Sequence, residues 1–373
     1  MKSKYKLFLM FPLLFGLNSC NSNNKPNLTN YSISHDTKYD AVQINISIDD
    51  FNNLGFSFGD SCNISFSNGY NLQDVPYFNG YYVKNGYPVI VGYPSNDYVI
   101  FTLNNVGVWT SVGLDESYTV NIDLNTKGKY LSTQQALSQS YSLLRSEYSS
   151  DEEFSNFRSL SCGNLKENLV YRGASPVDNS RKRAKITDDL LNKNNIKCII
   201  DLADSQDNME SYIKQDDFES TYTKSLYKQN KIVLLSMSSA YGSDVYKQKV
   251  ATGFKFTLNN DGPYYIHCME GKDRTGFVCT LLEALLGANY DQMCEDYMLT
   301  YKNYFKISKE STPEKYNSIV DLYFNSFMET IYGTDDVEEL KKEDNFISSA
   351  KNYLQEGGMT LEEINNLIIK LSK

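Results

Sequence analysis

A chain of 373 residues is longer than one small core requires, so two domains are the starting expectation. Hydrophobic residues at 41% and charged residues at 22% are the balance of an ordinary folded protein. A formal charge of −10 argues against a surface built to neutralise nucleic-acid phosphates, and no nucleic-acid partner is expected.

Residues 1–19 read as a signal peptide: Lys2, Lys4 and Lys6 give a positive start, and Leu7 to Leu17 form an apolar run too short to span a bilayer comfortably. The string Leu17-Asn18-Ser19-Cys20 resembles the bacterial lipoprotein cleavage box, which makes Cys20 the expected site of lipid attachment and places the protein outside the cytoplasm, anchored to the cell membrane. Cleavage there removes three lysines and no acid, taking the formal charge from −10 to −13. A phosphorylated substrate must then be drawn by a local cationic site. Residues 20–40, polar and Asn-rich at the start, are expected to be a tether.

Residues 41–130 read as a separate all-β domain of unknown role and unknown partner. Ala41 to Ile48 and Cys62 to Phe66 alternate apolar and polar residues, and Val99 to Leu103 and Tyr118 to Ile122 continue a small sheet or barrel. Tyr81 to Val83 and Val89 to Val91, joined through Lys84-Asn85-Gly86, carry a hairpin signal. From residue 131 to 373 the pattern becomes α/β. Gln134 to Tyr148 has helical spacing, and Leu169 to Tyr171, Ile196 to Leu202, Ile232 to Leu235 and Pro263 to His267 read as strands. Helices are expected from Thr187, over Val245 to Leu258, and over Thr275 to Leu286. Strands alternating with helices predict a mainly parallel sheet covered on both faces. After Tyr290 the chain reads as amphipathic helices, with Gly357-Gly358 and Thr360 to Glu363 marking the last stop and start.

The seven cysteines, at 20, 62, 162, 198, 268, 279 and 294, show no paired spacing, and the two histidines, His35 and His267, offer little for a metal site. Neither metal nor cofactor is expected. One cysteine differs from the rest. His267-Cys268-Met269-Glu270-Gly271-Lys272-Asp273-Arg274-Thr275-Gly276 follows a strand and opens a helix. In such a turn the backbone N–H groups form a nest for an anion, and the helix N-terminus adds positive charge. Cys268 placed there with Lys272 and Arg274 is a nucleophile in its thiolate form. Arg274 can grip two phosphate oxygens through its planar fork. Gly271 allows the turn, and Thr275 is placed to hydrogen-bond the sulfur. Met269, Glu270, Gly271, Lys272, Thr275 and Gly276 are the expected substrate-binding residues around the catalytic Cys268 and Arg274.

This loop resembles that of the bacterial tyrosine and phosphoinositide phosphatases of the protein tyrosine phosphatase superfamily, a resemblance running from about Phe154 to Lys373. Asn156-Phe157-Arg158 and Tyr171-Arg172-Gly173-Ala174-Ser175-Pro176 match the family's N-terminal signatures, and Asp296 to Thr300 its helix after the loop. Ala203-Asp204 stands where the family commonly has Arg after Asp-Leu. The resemblance implies a cysteine phosphatase acting on phosphorylated proteins or inositol phosphates, with Asp273 as the catalytic proton donor and Arg172 at the substrate. From the residues alone Asp204 and Asp244 remain open as donors, and Arg158 and the run Arg181-Lys182-Arg183-Lys185 read as a solvated face. His267 is expected to brace the loop. A lipoprotein binding module carrying a catalytically idle phosphatase domain is the alternative.

Overall fold

A computed structural model describes residues 25–94, 96–334, 336–342 and 346–373. The expected signal peptide and Cys20 lie outside the described residues. Two units follow one another: a closed barrel and an α/β layer structure. No helix among the described residues is long and apolar enough to cross a membrane.

The barrel strands are β1 (Asn27–Asp36), β2 (Ala41–Ser47), β3 (Ser61–Phe66), β4 (Asn71–Phe78), β5 (Pro88–Val91), β6 (Tyr98–Leu103) and β7 (Thr119–Thr126), closing in the order β1-β2-β6-β5-β4-β3-β7. Helix α1 (Ile48–Asn53) follows β2, capped by the Ser47 side chain. Alternate residues point inward, so Val42, Ile44, Ile64, Val99, Phe101, Val120 and Ile122 fill an apolar core.

The barrel corrects two expectations. Asn27–Asp36, inside the segment read as a tether, is a strand paired with β2 and β7. It buries Leu28 and Ile33 but few other side chains, and its register shifts between Leu28 and Tyr31, so its alternation is hidden in the sequence. The Lys84-Asn85-Gly86 turn exists, with Gly86 at φ +77° and Tyr87 N–H bonded to Lys84 O, but it joins no hairpin. β5 runs parallel to β4, so residues 79–87 form a crossover, and Tyr82 packs against the second unit.

That unit begins with α2 (Leu131–Leu137), which stops well short of the expected Tyr148. Residues 138–144 run on without regular structure because tertiary contacts, above all those of Tyr141, replace helix hydrogen bonds. Then come α3 (Asp151–Phe154), β8 (Arg158–Ser159), β9 (Val170–Gly173), α4 (Ala184–Lys193), β10 (Cys198–Asp201), α5 (Gln206–Ile213), α6 (Thr221–Lys228), β11 (Ile232–Leu234), α7 (Asp244–Asn259), β12 (Tyr264–His267) and α8 (Asp273–Leu285). Helices α9 (Tyr290–Phe305), α10 (Pro313–Ile319), α11 (Asn325–Tyr332), α12 (Val337–Lys342), α13 (Ile347–Glu356) and α14 (Leu361–Leu371) complete the chain, with a π-helical segment at Val320–Phe324. Helix α4 starts before Thr187. Its Asp188 accepts from the Tyr222 and Thr223 N–H groups at the start of α6. The Thr360–Glu363 capping box opens α14 as expected.

The sheet order is β11-β10-β12-β9-β8, with β11, β10, β12 and β9 parallel and β8 antiparallel. Alternation along the strands sorts the two faces. Ile199, Tyr265 and Tyr171 pack with α4 and α6, while Ile200, Ile266 and Val170 join the larger core with α7 and α8. Because β12 enters between β9 and β10, its C-terminal end lies where the order of the parallel strands reverses, the place where α/β sheets bind ligands. Asp201, His267 and Gly173 stand side by side at that edge, and Cys268 is the next residue.

Candidate active site

The sharp turn from β12 into α8 is held from outside. Six consecutive carbonyls each accept a donor from the surrounding shell or the helix. His267 O takes Leu202 N–H at 2.9 Å, and Cys268 O lies 3.1 Å from His267 Nδ1. Met269 O takes Ser175 N–H at 3.0 Å, and Glu270 O takes the Tyr304 hydroxyl at 2.8 Å. Gly271 O accepts from Arg172 Nη2 at 3.0 Å and Asn156 Nδ2 at 3.2 Å, and Lys272 O accepts Gly276 N–H at 2.8 Å. A trans peptide aims its N–H opposite to its carbonyl. The N–H groups of Met269 to Asp273 are therefore turned toward the loop's interior, in front of Cys268, and none donates to a group of the protein among the described residues. This is an anion nest. Gly271, at φ +65°, is required twice over: a Cβ there would lie 2.3 Å from the Gly173 carbonyl carbon and oxygen.

The shell behind the loop corrects the reading of the arginines. Arg172, expected at the substrate, is fully buried behind the loop. It joins Gly271 O to Asp296 Oδ2, which lies 2.6 Å from its Nη1. Arg158 grips the same Asp296 through Nε at 2.7 Å. Burial alone would push the Asp296 carboxyl up, but these two guanidinium groups hold it below the usual carboxylate range. Asn156, buried at φ +51°, receives Arg158 Nη1 on its Oδ1 while its Nδ2 reaches Gly271 O and Thr300 Oγ1. Arg183 is no solvated charge either: it is 1% exposed, gives its Nε to Phe154 O, and lies 4.5–4.8 Å from the Tyr304, Tyr141 and Phe154 ring centres. Arg172 and Arg158 meet Asp296 across 124 and 138 positions, so local spacing does not show that pairing.

Around the mouth, Cys268 is 4% exposed and carries a free thiol. Arg274 donates Nη1 to Met237 O at 3.0 Å, fixing its fork beside the loop. Burial disfavours its charge, but Cys268 is foremost among the groups that hold its pKa above the usual value. Met269 is 37% exposed and forms rim. Lys272 makes no hydrogen bond to a carboxylate: Glu270 Oε2 and Asp273 Oδ2 stand 4.0 and 3.8 Å from its Nζ, which sits 5.8 and 5.7 Å from the Tyr301 and Phe305 ring centres. Glu270 instead binds the Tyr141 hydroxyl, with Arg181 Nε at 3.1 Å on the same oxygen.

Gly276 spends its N–H on Lys272 O and lies against Tyr297 and Phe327. Thr275 Oγ1 is buried without any hydrogen-bond partner, so its expected bond to the sulfur is not formed here.

The proton-donor candidates separate by environment. Asp273 opens α8 with its side chain 48% exposed at the mouth. Asp244, the first residue of α7, lies on an exposed surface. Asp204 is 4% exposed, and burial, followed by the charge of Asp201, pushes its carboxyl up to about 7. Asp201 is itself pushed up to about 6, first by burial, and its Oδ1 accepts the Ala203 and Asp204 N–H groups. His267, 3.7 Å from Asp201 Oδ2, is lowered to about 4 by burial and stays neutral, which suits the expected bracing role. The arrangement can bind a tetrahedral anion in the nest, attack it with sulfur, and compensate its charge with Arg274.

Comparison with curated proteins finds no match. The sequence profile of the tyrosine phosphatase family matches residues 151–373, more than half of the chain and the whole of the α/β unit from α3 onward. The nest, the cysteine and the arginine fall inside that span, and the barrel and α2 fall outside it. The chain belongs to the tyrosine phosphatase family.

Proposed function

We propose that the protein hydrolyses phosphate monoesters on phosphotyrosine and on multiply phosphorylated inositol compounds, through a cysteinyl-phosphate. The observation carrying this reading is the set of loop carbonyls bound from outside, which leaves five N–H groups facing the cysteine. Cys268 sulfur attacks phosphorus as the ester P–O bond breaks, and the leaving oxygen takes a proton from Asp273. Water then attacks phosphorus, giving one of its protons to the Asp273 carboxylate as the P–S bond breaks and the Cys268 thiolate leaves. Asp273 is preferred to Asp204 because it stands at the exposed mouth, where a leaving group departs. Lys272, with no hydrogen-bonded carboxylate, offers a second cation for a neighbouring phosphate. The signal-like residues 1–19 support export, with the mature chain tethered through Cys20.

The first test is release of nitrophenol from para-nitrophenyl phosphate. Wild type should turn over, with vanadate inhibiting, and Cys268→Ser should lose on the order of 10⁴-fold or more in kcat. Equal rates for the two would leave the domain a binding module. Membrane fractionation of Cys20→Ala, expected to shed the protein, tests the anchor.

A further inference from the structure

The segment joining the barrel to the family domain lies outside the matched residues, yet one of its side chains reaches the catalytic loop. Tyr141 is anchored by its ring, stacked on Tyr304 at 5.1 Å and 28° and set against the Arg183 guanidinium at 4.7 Å. Tyr304 in turn donates its hydroxyl to Glu270 O. The ring is thus fixed by two residues that are themselves 3% and 1% exposed, and its hydroxyl is aimed at Glu270 Oε1. Arg181 shares that oxygen, while Glu270 Oε2 stops 4.0 Å short of Lys272.

We infer that Tyr141 is a positioning residue that clamps the Glu270 carboxylate away from Lys272, so that the ammonium stays available to a second phosphate of the substrate. This rests on the second-phosphate reading of Lys272 given above. The chemistry is competition for one acid. A carboxylate freed from its clamp need move only about 1 Å to make a charge-assisted bond with Lys272, which would occupy the cation that substrate needs. The proton belongs to the tyrosine throughout. Burial and then the Glu270 charge hold the phenol well above its usual pKa. Glu270 stays below the carboxylate range despite burial, because Lys272, Tyr141 and Arg181 face it. Arg181, the second group on that oxygen, is 38% exposed, so solvent screens its hold on the carboxylate.

The experiment compares a soluble phosphatidylinositol bisphosphate with para-nitrophenyl phosphate in the full chain. Tyr141→Phe keeps the stacked ring and removes only the hydroxyl. It should raise KM for the bisphosphate about tenfold relative to the aryl phosphate. Adding Glu270→Gln, which removes the competing charge, should restore that KM, a rescue that a merely structural tyrosine would not show. Lys272→Ala is the control, expected to raise KM for the bisphosphate selectively. If Lys272→Ala is selective and Tyr141→Phe is not, or if Glu270→Gln fails to rescue, the clamp is wrong and the second-phosphate reading survives. If Lys272→Ala affects both substrates equally, both fall together.

Discussion

The two units bury charge very differently. The barrel core is almost wholly apolar, and the one acid buried among its described residues, Asp60, is satisfied locally by Lys127 Nζ and by the Ser57 and Gly128 N–H groups. The phosphatase interior holds Arg172, Arg183, Asp188, Asp201, Asp204, His267, Glu283 and Asp296, each at or below 7% exposure. Buried ions are costly unless paired, and apolar side chains of like volume would pack at least as well. What apolar side chains cannot do is bind carbonyls. A catalytic nest needs its carbonyls turned outward against the loop's own tendency to curl, and only buried donors can hold them there. The barrel has no such loop to hold, and among its described residues Asp60 is the buried charge. Of the buried groups in the phosphatase interior, Arg172 reaches a loop carbonyl, Gly271 O, and Asp296 holds Arg172 in place.

The sharpest way to break this comparison is to change one glycine in each unit. Gly271→Ala drives a Cβ into the Gly173 backbone and should lower kcat/KM by at least about 100-fold, the scale of losing more than one oriented donor. Activity within a few fold of wild type would mean that the loop is not held as described. Arg172→Met should come next. Removing it leaves Asp296 half paired and Gly271 O without its guanidinium donor, at about 3–5 kcal/mol in denaturant unfolding. A loss below 1 kcal/mol would show that the buried charge is dispensable.

Asp204→Asn tests the acid cluster through pH. With its carboxyl raised from 3.8 to about 7, the folded state holds the proton more tightly than the unfolded chain does. That favours folding below about pH 4, and the advantage is lost as pH rises through 7. The amide cannot ionise, so the variant should gain on wild type between pH 4 and 8, by on the order of 1–4 kcal/mol. A difference in Tm that stays constant across that range would remove the cluster from consideration. The smallest effect belongs to the barrel. Gly69→Ala, at φ +96° with nothing within 4 Å of a new Cβ, should cost about 1–2 kcal/mol in stability and leave kcat/KM within twofold. A larger fall in activity would show that the barrel governs the site beyond its direct contacts.

Legibility in the sequence followed the range of the interactions. The string from His267 to Gly276 carries nucleophile, turn glycine and arginine within ten residues, because a nest is built from consecutive backbone groups. The strands β2, β3, β6 and β12 and the helices α7, α8 and α14 were likewise readable from local spacing and caps. Strand β4 passed unread because Pro76 and the left-handed Asp74 interrupt its pattern. Arg172, taken for a substrate contact, and Arg183, taken for a solvated one, both turned out to be interior.

By itself the sequence determined the local frame of the site: a cysteine and an arginine six positions apart, with the turn glycine between them, on a strand-to-helix turn. Tertiary structure alone decided which charges surround it. Arg172 meets Asp296 across 124 positions, and Tyr141 meets Glu270 across 129. Whether a cation binds substrate or a carbonyl depends on which face of the loop it reaches. That is set by the packing of the sheet and α9 behind the loop, and by the path of the segment that leaves the barrel. No spacing along the chain encodes either, because each pairing exists only once both partners have been brought together by separate pieces of the core.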